Sequence, residues 1–339
     1  MRYPKNLKIG DYIGVTAPSA GVAKEEDLPR LNNVKNNFEK LGYKYIETPN
    51  VRTEEKGRSS SAEQRVEQLM SLWNDDRVGA IISATGGDFM AEILDKIDFE
   101  AIKKSEPKWY QGYSDNTNLT LLLPTLCDIA SIYGQNVKDY GMANLYGNLT
   151  NSFEIMQGKE ITQNSLEKYE IPDWDKERDA FAGYDLTEPV IWKNLKGEEK
   201  ISFRGRSIGG CFDCVVNLMG TRFDKMKDYI EKYKEDGIVW FLEVFEMSTP
   251  AFYINLWKMK NAGLFEHCKG IMFGRPLFVR EDYETSYEET LKQFFKDMDI
   301  PVIYDVDCGH VSPQLPIVTG AILEVESSNG KGTVKNIFE

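Results

Sequence analysis

A chain of 339 residues is long enough for two domains, and 41% hydrophobic content with 12% aromatics argues against disorder or a low-complexity fibre. Its net charge of −13 argues against nucleic acid or an anionic membrane as partner, because both need a basic face. No run of about 18 apolar residues exists to span a bilayer, and no apolar leader follows Met1. The five cysteines, an odd number, fit a reducing cytoplasm better than a disulfide framework. A cytoplasmic protein is expected.

Residues 8–17 read as a strand carrying Ile9, Ile13 and Val15, ending in the loop Pro18-Ser19-Ala20-Gly21. An amphipathic helix follows, with Leu28, Leu31, Val34, Phe38 and Leu41 at three- and four-residue spacing and Gly42 at its close. Residues 43–47 form a second strand. Ser61-Ala62-Glu63-Gln64 has the form of a capping box, opening a helix with Val66, Leu69, Met70 and Trp73 on one face. Residues 78–84 are nearly all apolar, as in a parallel strand covered on both faces, and run into Thr85-Gly86-Gly87-Asp88.

A further strand leads into Gly112-Tyr113-Ser114-Asp115-Asn116. Repeated strand–helix units of this length predict a mostly parallel, doubly wound α/β sheet with its site at the strands' carboxyl ends. Residues 151–200 turn polar and irregular. The expected division is residues 1–165, a linker over 166–185, and a second domain over 186–339. In that second part, residues 237–244, 269–274 and 301–307 read as strands. Thr249-Pro250 opens a helix, and residues 317–326 alternate apolar with polar.

A serine at a sharp strand-to-helix corner exposes its hydroxyl beside the free N–H groups of a helix start, which is where a hydrolase nucleophile belongs. Ser114 occupies such a corner, although the closing glycine of the G-x-S-x-G pattern is missing and the corner also fits ordinary N-cap chemistry. The serine needs a base, and the chain has only two histidines. His310 follows an apolar strand, at a carboxyl end with Gly309 beside it. His267 precedes a strand, on the face that usually carries stability. Glu243 is an acid at the end of an otherwise apolar strand, a costly placement unless it is paired, so it is the candidate to orient the base; Glu246, in the loop, competes. The N–H groups of Asp115 and Gly87 are candidate oxyanion donors. The same Gly-Gly as a phosphate-binding turn lacks both the G-x-G-x-x-G spacing and a Walker lysine.

Taken together, Thr85-Gly86-Gly87-Asp88, Ile93-Leu94-Asp95-Lys96-Ile97-Asp98, Pro107-Lys108, Gly112-Tyr113-Ser114-Asp115-Asn116-Thr117, Gly209-Gly210, Gly220-Thr221, Phe241-Leu242-Glu243 and Gly309-His310 with Pro316 resemble the LD-carboxypeptidase family of serine peptidases. The match in order and spacing runs from Gly10-Asp11 to Gly320. The resemblance implies a Rossmann-like N-terminal domain, a smaller C-terminal α/β domain, a homodimer, no cofactor and no metal. It implies Ser114 as nucleophile, His310 as base, Glu243 as its orienting acid, and Gly87 and Asp115 as oxyanion donors.

Within the family, murein LD-carboxypeptidases release a terminal D-alanine, while microcin C immunity peptidases cut an amide between an aminoacyl group and a nucleotide-like sulfamate or phosphoramidate. Chain length, the polar insert over 151–200, and Trp174 and Trp192 resemble the immunity branch, in which an aromatic residue of this region stacks on a base. Trp192, Gly86 and Asp88 are the expected substrate-binding residues. Two positions depart from the family: Gly210-Cys211-Phe212-Asp213 stands where Gly-Gly-Asn-Leu is common, and Asn116 where isoleucine is common. A different class of reading makes Cys211, Cys214, Cys308 and His310 a zinc site. A third keeps the fold as a binding module without turnover.

Overall fold

Alternating apolar runs and amphipathic helices build the first part of the chain, and the computed structural model describes residues 1–173 and 178–339. The elements run β1 (Tyr12–Thr16), α1 (Leu28–Lys40), β2 (Lys44–Glu47), α2 (Ala62–Trp73), β3 (Val78–Ser83), α3 (Ala91–Leu94), α4 (Phe99–Lys104) and β4 (Trp109–Gly112). They continue with α5 (Thr117–Thr120), α6 (Leu122–Cys127), β5 (Ser131–Tyr133) and α7 (Gly147–Met156). The strands pair in parallel in the order β5-β4-β3-β1-β2. This order reverses between β1 and β3, and a crevice outside the carboxyl ends at such a reversal is the usual ligand position in open α/β sheets.

Two local readings are revised. The first strand starts at Tyr12 because Gly10, at φ +93°, turns the chain and the Asp11 carboxylate accepts from the Lys8 N–H at 2.8 Å; Ile9 is left exposed. On α2, Ser61 caps the helix by accepting from the Gln64 N–H, but the buried face is Arg65, Leu69, Leu72 and Trp73, with Val66 and Met70 only part-buried. The Arg65 guanidinium tolerates full burial because it donates to the Pro18 and Phe89 carbonyls and to Glu92.

The second compact unit contains β6 (Thr162–Asn164), β7 (Lys168–Tyr169), β8 (Glu188–Pro189), β9 (Lys193–Asn194), β10 (Lys200–Cys211), α8 (Phe212–Leu218), α9 (Met226–Lys232), β11 (Ile238–Glu243) and α10 (Thr249–Asn261). It goes on with β12 (Cys268–Gly274), α11 (Tyr287–Phe295), β13 (Val302–Val306), β14 (Ile317–Thr319), β15 (Ile322–Ser328) and β16 (Lys331–Ile337). Its main sheet runs β6-β16-β15-β10-β11-β12-β13-β9. The long β10 changes partner along its length: residues 200–206 pair antiparallel with β15, and residues 206–211 pair parallel with β11. The parallel centre β10–β13 therefore carries α/β character, with an antiparallel skirt on either side.

The chain divides into Met1–Lys159 with Asp173–Tyr184, and Glu160–Pro172 with Asp185–Glu339. The segment expected as a linker over 166–185 is thus shared between the two units, and its first part supplies β7 to the second. The alternating stretch over 317–326 is divided at Gly320, φ +98°, between β14 and β15, and β16 follows as a further strand. Ser248, rather than Thr249, caps α10, accepting from the Ala251 N–H at 3.3 Å.

Candidate active site

The N-terminal unit presents Ser114 two residues past the end of β4. Its φ is +64°, a left-handed conformation that costs a non-glycine residue roughly 1–2 kcal/mol and persists only where the surroundings enforce it. Several bonds enforce it here. The Ser114 N–H donates to the Tyr133 hydroxyl at 3.4 Å. Asn116, fully buried, accepts from Tyr110 at 2.7 Å and donates to the carbonyls of Thr85 at 3.0 Å and Tyr113 at 3.1 Å.

Asp115 ties three loops together. Its carboxylate accepts from the Met90 N–H at 2.9 Å, from the Asn118 amide at 2.9 Å and from the Ser19 hydroxyl. Burial pushes its carboxyl above the usual range despite these bonds. The glycine pair after β3 lies against this corner. A Cβ on Gly86 would come within 2.9 Å of Ser114 Cβ and 3.0 Å of its Oγ, and one on Gly87 would strike Ser19. Gly87 has φ +145°, and the Gly86 carbonyl accepts from the Ala20 N–H at 3.2 Å. Ser114, Gly86, Gly87 and Asp115 are therefore brought together, while Asp88 is exposed.

The C-terminal unit holds the other two candidates. Glu243, the last residue of β11, is wholly buried, and both its carboxylate oxygens lie 3.0 Å from Nδ1 of His310. Gly309 makes this pairing possible, since a Cβ there would strike the Glu243 side chain. The Phe245 ring packs over the imidazole with centroids 4.2 Å apart. Asp213 fixes the turn that carries Phe245 by accepting from the N–H groups of Phe245 at 3.0 Å and Glu246 at 3.2 Å.

A carboxylate on Nδ1 leaves Nε2 as the basic nitrogen, the tautomer a general base needs. Glu246 is exposed and outside this pair. His267 is half-exposed, 3.9 Å from Glu231. Asp213, Phe245 and Tyr133 were not singled out from the sequence; they act through backbone groups and ring packing, which carry no spacing signature.

Trp192 requires a correction. It is buried, its Nε1 donates to Asp307 at 3.0 Å, and its ring lies against Gly332, so neither face is open to stack on a ligand. Asp307 also accepts from Arg275 at 2.7 Å and from the Leu166 N–H at 2.9 Å, making Trp192 a strut under the segment that leads to His310. Trp174 lies outside the described residues.

The zinc reading is also redrawn. Cys211, Glu243 and His310 place ligand atoms within 4.8 Å of one another, and Cys308 is not in that grouping. Hydrogen bonding to Cys214, burial and the Glu243 charge hold the Cys211 thiol well above its ordinary value.

A model of the LD-carboxypeptidase N-terminal domain matches residues 13–134, and one of the LD-carboxypeptidase C-terminal domain matches residues 204–325. The chain belongs to the LD-carboxypeptidase family. It is accordingly a serine peptidase, and the two matched stretches contain Ser114 and Glu243 with His310 respectively.

Two curated relatives are 24% identical to it. One is a Bacillus subtilis protein named "Probable murein peptide carboxypeptidase", matched over 94% of this chain and 89% of its own. The other is the microcin C7 self-immunity protein MccF of Escherichia coli, over 95% and 92%. Among solved structures, an MccF-like protein from Bacillus anthracis shares the fold at TM-score 0.81 and 22% identity, covering all of both chains. MccF in complex with aspartyl sulfamoyl adenosine shares it at 0.80 and 20%, covering 100% of this chain and 99% of the other. Among the described residues no helix is long and apolar enough to cross a membrane.

Proposed function

We propose that this family member hydrolyses an amide through a triad of Ser114, His310 and Glu243. The observation that carries the reading is the buried Glu243–His310 pair, made by one of only two histidines in the chain. Ser114 attacks the carbonyl carbon while Nε2 of His310 takes the hydroxyl proton. Glu243, on Nδ1, steadies the imidazolium, and the N–H groups of Gly87 and Asp115 stabilise the oxyanion. His310 then protonates the leaving group, an acyl-enzyme remains on Ser114, and water releases it.

The substrate class we favour is an aminoacyl group in amide linkage to a nucleotide-like moiety. Its support is the MccF relative and the whole-chain likeness of fold to MccF solved with aspartyl sulfamoyl adenosine. The equal identity to the murein-peptide relative favours a second reading, release of D-alanine from a murein tetrapeptide. Parallel assays decide: an aminoacyl-sulfamoyl adenosine against L-lysyl- or diaminopimelyl-D-alanine peptides. Faster cleavage of the first class supports the favoured substrate, and cleavage of the peptides alone transfers the assignment to the second. In either case Ser114→Ala reduces turnover by roughly 10⁴-fold or more; near-normal turnover in that variant would remove the mechanism. The assembly carried over from the family is a homodimer, so sedimentation at micromolar concentration is expected to give twice the chain mass, and a monomer there contradicts it.

A further inference from the structure

Cys211 stands beside the candidate acid–base pair without a task in the peptidase mechanism. It ends β10, next to β11 in the sheet, and its register partner there is Glu243. The Cys211 sulfur, a Glu243 oxygen and a His310 nitrogen lie within 4.8 Å of one another, and Cys214 reaches the Cys211 sulfur from the first turn of α8. Cys211 and Glu243 are buried and His310 nearly so, and Asp213 adds a carboxylate 3.8 Å from the Cys211 sulfur. A thiol, an imidazole and a carboxylate converging at a largely buried place are donor types that zinc selects. Tetrahedral zinc, with bonds of roughly 2.0–2.3 Å, needs donor separations of about 3.4–3.8 Å, so a side-chain adjustment of about 1 Å completes the site.

We infer that Cys211, Glu243 and His310 form an inhibitory binding site for a thiophilic divalent cation such as Zn²⁺, with Cys214 or water as the fourth ligand. Binding releases the Cys211 thiol proton and forms a zinc–thiolate bond. The zinc–imidazole bond removes the base: ligation at Nε2 occupies the lone pair that would accept the serine proton, and ligation at Nδ1 displaces the hydrogen bond to Glu243. Ligand and catalyst share two residues, so the cation and turnover exclude each other. The inhibition rests on the triad reading, whereas the binding itself does not.

The test is titration of the metal-free full-length protein with Co²⁺ and Zn²⁺, read three ways: the near-ultraviolet thiolate-to-cobalt charge-transfer band, turnover, and labelling of Ser114 by a fluorophosphonate. One equivalent of Co²⁺ is expected to produce the band, and Zn²⁺ to abolish it while stopping turnover and labelling, reversibly with a chelator. Cys211→Asn and Cys211→Ser, each read against its own metal-free rate, are expected to need roughly 10–100-fold more zinc for the same inhibition and to show no band. His267→Gln, which removes the other histidine, is expected to keep both. Absence of the band in the wild type, or unchanged zinc sensitivity in both Cys211 variants, overturns the site. A protein inactive on either substrate class that still shows the Cys211-dependent band keeps the site and loses the triad reading. Activity that requires zinc overturns the inhibition and the triad together.

Discussion

At the scale of single residues, the decisive features are those that would otherwise be costly. Ser114 accepts a left-handed backbone, Glu243 a fully buried carboxylate, and Gly86 and Gly309 positions where any side chain would strike a candidate catalytic group. Gly86 offers a clean test, because its own φ lies outside the left-handed region and alanine is tolerated by its backbone. The added methyl would lie 2.9 Å from Ser114 Cβ, so the serine must shift. Displacement of a reacting group on the ångström scale costs roughly 10²-fold in rate. Gly86→Ala is therefore expected to lower kcat by about that factor while changing the unfolding free energy by about 1 kcal/mol. Wild-type kcat in this variant would show that the glycine loop does not bear on the serine.

At the scale of elements, α2 and α3 are joined by a charge cluster. Glu92 bonds Arg58 and the fully buried Arg65, and Arg65 also holds the Pro18 carbonyl in the loop after β1 and the Phe89 carbonyl just past the glycine pair. Arg58 first, then Arg65, hold the Glu92 carboxyl at about 2, below its ordinary 4.5. A lowered acid value contributes stability that is complete above pH 4.5 and lost as pH falls through about 2. The Glu92 side chain is 38% exposed, and solvent screening reduces the gain to about 1 kcal/mol. Glu92→Gln is expected to be less stable by about that amount at pH 7, with urea midpoints converging on wild type as pH drops from 5 toward 2. A gap independent of pH would assign the effect to packing.

The same region shows what was legible in the sequence. Strand and helix spacing exposed the parallel sheet and the serine corner, because apolar periodicity reports burial directly. It missed Arg65 as a buried residue, since its burial depends on carbonyls brought in from loops distant in sequence. Trp192 was misread for the same reason: its partner Asp307 lies 115 residues away.

At the scale of the whole molecule, the proposed mechanism divides its chemistry along the chain. The N-terminal unit holds the candidate nucleophile Ser114 with Gly86 and Gly87 beside it, and the C-terminal unit holds the paired Glu243 and His310, the candidate acid and base. Scarcity narrowed the candidates in the sequence: with two histidines in 339 residues, one at a strand's carboxyl end, few assignments of a base were open. Substrate identity was not readable, because one candidate aromatic is buried and the other lies outside the described residues. The proposed mechanism requires Ser114 to form an acyl-enzyme with His310 as base. Rapid-quench mass spectrometry of the protein during turnover of whichever substrate it cleaves reads this step. An acyl adduct on the peptide containing Ser114, lost in Ser114→Ala and at least about 10³-fold slower to form in His310→Ala, is the expected result; turnover that proceeds undiminished in Ser114→Ala, or an adduct on another residue, would rule out Ser114 as the nucleophile.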